Sequence, residues 1–369
     1  MGSKRVAKTV VVKIGSSTLT DERGRFRLGP MAGRVAEICE LNRRGHRVVL
    51  VSSGAVSSGM GPLGMTSRPV DVVALQAAAA VGQGRLFHMY SQLFGCEEVV
   101  TAQVLLTALD VSARAQYLNA RNTIEQLLTW TVVPIVNEND TTATDELCFG
   151  DNDSLAAQVA LLIKADVLVL LTDTEGLYNS NPQLDPKASL IKEVRDFAEL
   201  DRIQTDSKGS LGRGGMRSKV TAARIATSGG VKTVIARGSR SGVITACVEG
   251  EDVGTRFLPR DLGLGSFKLW LLYGKPSRGR VQVDAGAAEA VLGDGSLLPV
   301  GITAVGGEFS AGDAITVVDP QGAELAKGIC NYSCEELDQV KGMRSAQVAE
   351  LMPQASPEAV HRDYLVLVE

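Results

Sequence analysis

Thr9-Val10-Val11-Val12-Lys13-Ile14, followed by Gly15-Ser16-Ser17, is the stretch on which the fold turns. Its apolar and β-branched residues run without the in–out alternation of a half-exposed strand, which predicts a strand buried on both faces. Met31, Val35, Ile38 and Cys39 then recur at helical spacing on one face. The same strand-then-helix unit returns along the chain. Strands are expected at Arg47–Val51, Glu98–Leu106, Thr131–Val136, Val167–Thr172 and Val231–Ala236, and helices at Val70–Phe94, Asp151–Ile163 and Gly215–Ser228. Buried strands alternating with helices place the chain in the α/β class, with a mostly parallel open sheet sandwiched by helices. Such a sheet collects ligands at the C-terminal ends of its strands.

The pattern changes after Leu258. Pro259–Ser266 carries Pro, Asp and Gly and reads as a linker. Short strands follow at Lys268–Tyr273, Arg280–Val283, Ala314–Val318 and Glu324–Gly328, with turn signals at Gly293-Asp294-Gly295 and Asp319-Pro320. Helices are expected at Ala285–Leu292 and Glu335–Lys341. The predicted division is therefore a first domain over 1–258, a linker and connecting strand over 259–274, and a small β-rich domain over 275–369.

Composition excludes several classes of function. The 369 residues are 44% hydrophobic and 22% charged, enough to bury a sizeable core. Lys and Arg total 38 against 42 Asp and Glu, so no global charge favours nucleic acid or an anionic membrane. His46, His88 and His361 lie far apart, which argues against a multi-histidine metal site. Cys39, Cys96, Cys148, Cys247, Cys330 and Cys334 form no Cys-x-x-Cys pair and read as buried free thiols of a reducing compartment. No apolar run reaches the ~18–20 residues of a membrane span. Lys13 interrupts the N-terminal apolar stretch too early for a signal peptide. A cytoplasmic location is expected.

Each strand end of the first domain is followed by small polar residues. Lys13 at a strand tip, then Gly15-Ser16, offers a charge and exposed N–H groups to an anion. Ser52-Ser53-Gly54-Ala55 permits close approach of a ligand. Asn137-Glu138-Asn139-Asp140 follows the strand through Val136, and Gly150-Asp151-Asn152-Asp153 opens a helix. So many carboxylates and carboxamides are costly to gather without cations or a polar ligand, although an Asp N-cap and a solvated loop would account for part of the pattern. Thr172-Asp173 closes a buried strand. Gly212-Arg213-Gly214-Gly215-Met216-Arg217-Ser218-Lys219 is a basic glycine-rich loop entering a helix, suited to polyphosphate. There is no Gly-x4-Gly-Lys-Ser/Thr and no Gly-x-Gly-x-x-Gly after a strand. Separated lysines with carboxylates instead suggest phosphoryl transfer by positioning and charge neutralisation.

In this order, Val11-Val12-Lys13-Ile14-Gly15-Ser16, Ser53-Gly54-Ala55, Asn137–Asp140, Gly150–Asp153, Thr172-Asp173-x-x-Gly176-Leu177-Tyr178 and Gly214-Gly215-Met216-x-x-Lys219 resemble the amino acid kinase family, in its glutamate-phosphorylating branch. Val283-Asp284-x-Gly286-Ala287, Ser296-Leu297-Leu298-Pro299-x-Gly301-Ile302 and Gly306-x-x-Phe309-x-x-Gly312-Asp313 resemble a PUA domain. The resemblance implies ATP-dependent phosphorylation of the γ-carboxylate of L-glutamate, the first step of proline biosynthesis. Lys13 and Lys219 would flank the transferred phosphoryl group, and Asp153 would orient them. Ser53, Asp140 and Asn152 would bind glutamate. Lys13, Thr172, Asp173, Arg213, Gly214, Gly215, Met216, Arg217, Ser218 and Lys219 would hold ATP, with Mg²⁺ bridging its phosphates. Similar enzymes usually have Thr where Arg213 and Ser218 stand. The resemblance also implies a homo-oligomer inhibited by proline. Relatives acting on aspartate, acetylglutamate, carbamate or a nucleoside monophosphate share the sheet and lysines and are the alternative. An RNA-binding function for the PUA-like part meets an opposing charge: residues 275–369 carry seven Lys/Arg against fourteen Asp/Glu.

Overall fold

The computed structural model describes residues 6–15, 19, 26–143, 152–182, 184–198, 200 and 215–368. Ser16, Ser17, Cys148, Gly150, Asp151, Arg213 and Gly214 lie outside the described residues. The described chain falls into two compact units, one reaching Ser266 and one starting at Phe267.

In the first unit β1 (Thr9–Ile14) is fully buried and lies at the middle of the sheet. It pairs in parallel with β2 (Arg47–Ser52) on one side and β5 (Val167–Thr172) on the other. Beyond β2 come β4 (Val133–Glu138) and the edge strand β3 (Thr101–Leu106). Beyond β5 come β7 (Lys232–Arg237), β8 (Thr255–Phe257) and β6 (Glu193–Val194). Only the β7–β8 pairing in this sheet is antiparallel among the described residues. Strand order reverses direction at β1, so the C-terminal ends of β1, β2, β4 and β5 open a crevice.

Helix α1 (Leu28–Arg43) buries Met31, Val35, Ile38 and Cys39 against Val10, Val12 and Ile14. Helix α2 (Ala55–Met60) starts after Gly54, whose φ of 105° is open to glycine. Helix α3 (Val72–Gly95) is capped by Asp71, whose carboxylate accepts from Ala74 N–H at 2.8 Å. The two helices touch through backbone: a Cβ on Gly82 would lie 1.8 Å from the Ala55 carbonyl oxygen. Further on come α4 (Ala108–Ser112), α5 (Arg114–Thr129), α6 (Asn152–Leu162), α7 (Gly215–Ser228) and α8 (Val243–Glu249).

Several strand boundaries differ from expectation. Glu98 and Thr131 take φ of 59° and 62°, left-handed values that no strand continues through, so β3 and β4 start later. At its other end β4 runs on through Asn137 and Glu138, which the sequence placed in a loop.

The expected connecting strand at Lys268–Tyr273 is a helix, α9 (Ser266–Tyr273). A short apolar run fits either element. Here the residues are Phe, Lys, Leu, Trp and Tyr, none β-branched, and Lys327 Nζ donates to the terminal carbonyls of Leu272 and Lys275.

The second unit holds a sheet in the order β10 (Ile302–Gly307), β9 (Ser277–Val283), β11 (Ala314–Val318), β12 (Glu324–Ile329), β13 (Leu365–Leu367). Helices α10 (Ala285–Leu292), α11 (Cys334–Val340) and α12 (Ser345–Leu351) accompany it. Val281, Val283, Ile315, Val317 and Leu337 form its core. The described cysteines are all free; Cys39, Cys247 and Cys330 are buried, whereas Cys334 is half-buried and Cys96 is exposed, because it follows the end of α3 at the surface. No described helix is long and apolar enough to cross a membrane.

Candidate active site

Three elements bring three charges to one point. Lys13 is the fifth residue of β1, on the sheet face opposite Val10, Val12 and Ile14, and is 4% exposed. Asp153 stands in the first turn of α6 and is 1% exposed. Lys219 lies in the first turns of α7 and is also buried. Lys13 Nζ is 2.6 Å from Asp153 Oδ1, and Lys219 Nζ is 2.9 Å from Asp153 Oδ2. Ser218 Oγ donates to the same Oδ2 at 3.0 Å. Burial by itself would raise the Asp153 pKa; the two ammonium groups outweigh it and hold the carboxyl below its usual 3.8. One carboxylate between two lysines leaves one positive charge over, in a place with little water. That is an anion site.

The glycines beside the lysines are close. A Cβ on Gly15 would come within 3.9 Å of Lys13 Nζ, and one on Gly215 within 3.5 Å of Lys219 Nζ. Their absence of side chain lets a phosphate reach both ammoniums. On the far side of β1, Thr172 Oγ1 donates to Asp173 Oδ1 at 3.1 Å at the end of β5. Arg237, at the end of β7, donates Nε to the Asp173 carbonyl at 3.1 Å and pairs with Glu175 at 2.8 Å. Gly238 N–H donates to the Thr172 carbonyl at 2.7 Å. These bonds join the ends of β5 and β7, and no hydrogen bond links them to Met216, Arg217 or Ser218 at the start of α7 among the described residues.

The second cluster is built on neutral amides. Asn152 Nδ2 donates to the Ser52 carbonyl and to Asn137 Oδ1, each at 2.6 Å. Asn137 is 3% exposed and donates Nδ2 to Gln83 Oε1 of α3 at 2.5 Å. Ser53 follows β2 and donates its N–H to the Ile14 carbonyl at 3.2 Å. Asp140 sits in the loop after β4, where burial raises its pKa and Arg68 partly offsets the rise. Lys13, Asp153 and Lys219, expected from the sequence as site residues, meet. Gln83 and the Ser218–Asp153 bond were not among the expected features. A glutamine between Gly82 and Gly84 in an alanine-rich helix was the available signal for the first.

Among the described residues no group of three or more His, Cys, Asp or Glu is placed to cage a metal. Both Asp153 oxygens already face ammonium groups. These residues fit a magnesium ion that arrives on a nucleotide's own phosphates.

Comparison with known proteins bears on both units. Residues 8–237 match the model of the amino acid kinase family, and residues 279–352 match the PUA domain. A glutamate 5-kinase from Gloeobacter violaceus is 50% identical over 97% of this chain and 98% of its own. One from a Synechocystis species is 48% identical over 98% of each chain. Among solved structures, a carbamate kinase from Giardia lamblia bound to AMP-PNP superposes with a TM-score of 0.52 at 19% identity, covering 70% of this chain and all of that one. That likeness concerns the fold alone.

Proposed function

The chain belongs to the amino acid kinase family, and we propose that it transfers the γ-phosphoryl group of ATP to the γ-carboxylate of L-glutamate. The observation that carries the chemistry is the buried Lys13–Asp153–Lys219 arrangement at the C-terminal edge of a parallel sheet. A γ-phosphoryl group in flight spreads negative charge over its oxygens, and two fixed ammoniums meet it without reorganisation. Asp153 holds them apart and aimed. With both oxygens engaged and its carboxyl below the usual range, it is a poor base. A carboxylate acceptor needs none, because it is ionised at neutral pH. Its oxygen attacks the γ-phosphorus, the bond to the ADP oxygen breaks, and an acyl phosphate and ADP result.

In this reading Asn152, Asp140 and Ser53 hold glutamate, while Thr172, Asp173 and residues 215–219 hold the nucleotide as its magnesium complex. The high identity to glutamate 5-kinases over the whole chain supports glutamate over the other acceptors of the family. The reading extends to a cytoplasmic homo-oligomer that feeds proline synthesis and is inhibited by proline, as the family resemblance implies. The acidic balance of residues 275–369 supports no nucleic-acid partner.

The test is hydroxylamine trapping of the acyl phosphate, with ATP, Mg²⁺ and a panel of glutamate, aspartate, N-acetylglutamate and carbamate. Hydroxamate formation with L-glutamate alone is the expected result. Preference for another acceptor overturns the substrate assignment.

A further inference from the structure

The carboxamides beside Asp153 form a chain whose polarity is fixed by backbone groups. Asn152 faces the Ser52 carbonyl at 2.6 Å, and a carbonyl only accepts, so the amide presents its NH₂ there. Asn137 Oδ1 receives the Glu138 backbone N–H at 2.9 Å, and an N–H only donates, so that end of Asn137 is its oxygen. The same oxygen takes the second hydrogen of Asn152. Asn137 then has its Nδ2 left for Gln83, which must answer with Oε1. Two unambiguous anchors thus orient three side-chain amides.

Asn152 has committed both N–H bonds to the protein, and no described residue donates to its Oδ1. What it can offer a ligand is an acceptor. Of the charged groups on glutamate, the two carboxylates only accept, and only the α-ammonium donates. A carboxylate against Asn152 Oδ1 would set lone pair against lone pair.

We propose that Asn152 recognises the α-ammonium of the acceptor amino acid through Oδ1, with Asn137 and Gln83 as positioning residues that hold in place an amide whose polarity the Ser52 carbonyl and the Glu138 N–H set; this rests on the glutamate reading above. Asp140 lies just beyond the end of β4, the strand that carries Asn137, and its partly desolvated carboxylate, offset in part by Arg68, would gain from an ammonium neighbour. The position of Gln83 is itself constrained. Gly82 packs directly on the Ala55 carbonyl, so α3 cannot slide along the segment that follows Ser53 and Gly54 without a backbone clash. Specificity for an α-amino acid is then built from the orientation of neutral amides, which resist screening and do not titrate.

The experiment compares L-glutamate with glutarate, the same diacid without the α-ammonium. Steady-state KM for glutamate and the inhibition constant of glutarate are measured for the wild type, Gln83→Met and Gln83→Glu. Loss of the acceptor in Gln83→Met should raise KM for glutamate about 10-fold, the scale of one disturbed hydrogen bond to a charged group, with kcat and KM for ATP within about twofold. The glutarate constant should move by less than about twofold, and Gln83→Glu, which keeps an acceptor, should recover KM to within about threefold. Unchanged KM in Gln83→Met, or equal losses for glutamate and glutarate, overturns the assignment. Failure of the wild type to phosphorylate glutamate overturns the substrate reading instead, and is seen before any variant is compared.

Discussion

Asn152 and Asp153 are neighbours in the chain and belong to unlike networks. Asp153 is held by two ammoniums and a hydroxyl, all within 3.0 Å. Asn152 is held by a carbonyl and an amide, in a chain with no formal charge. The difference separates two tasks. Fixed charge is useful where charge develops during a reaction, because its interaction grows toward the transition state. Neutral amides act by direction, discriminating donor from acceptor equally in the ground state and beyond it. One helix start serves both, because successive residues in its first turn point about 100° apart.

Removal of either ammonium should break the comparison most severely. Lys13→Ala or Lys219→Ala should lower kcat roughly 10²–10³-fold and leave KM for glutamate within a few-fold. Steady-state kinetics on a variant with a native circular dichroism spectrum checks this, and a wild-type kcat would refute the role. Asp153→Asn should cost roughly 10²-fold in kcat, and about 3–5 kcal/mol of stability, since it leaves two buried lysines without their counter-charge.

The sign of the pH dependence follows from the same pair. The folded Asp153 pKa lies below its ordinary 3.8, so its contribution to stability is present above pH 3.8 and lost as pH falls through the folded value. Urea titrations below pH 4 should therefore show wild type losing stability faster than Asp153→Asn.

On the substrate-holding side the effects are smaller. Asp140→Ala should raise KM for glutamate about 10-fold with little change in kcat, because a holding contact acts in ground and transition states alike. Its pKa is raised by burial, so the wild-type KM for glutamate should climb as pH drops toward that raised value, and Asp140→Ala should flatten the climb. Smallest of all should be truncation at Leu264. Every residue assigned to chemistry precedes it, and kcat should stay within about threefold, a change below 1 kcal/mol. Acyl-phosphate trapping on the shortened chain measures it, and a folded but inactive chain would tie the second unit to the reaction.

Much of the ionic network was legible in the sequence, and little of the neutral one. Lys13, Asp153 and Lys219 announce themselves as charges at strand tips and helix starts, where burial is costly without a partner. Asn137 and Glu138 read as loop because they are polar, yet they are 3% and 8% exposed within β4. The Asn137 amide is satisfied by Gln83 and Asn152, residues distant in sequence, and no local pattern encodes that. The buried strands stood out by lack of alternation. Helix α5 did not stand out, since only Ile124 and Leu128 of its described side chains are buried and its apolar stripe is correspondingly narrow. The second unit's strand at Ala314–Val318 and helix at Ala285–Leu292 were legible from turn residues on either side.

The central place of β1 has a consequence for how the chain is made. Val10 pairs with Val48 on one side and with Val167 on the other. A ribosome adding ~5–20 residues per second delivers the first partner within seconds but needs roughly a hundred further residues before the second emerges. Throughout that interval Thr9–Ile14, the most completely buried strand of the finished sheet, keeps one edge of N–H and C=O groups open. The nascent chain is thus most exposed to mispairing at the strand that carries Lys13, and a slower ribosome lengthens that exposure.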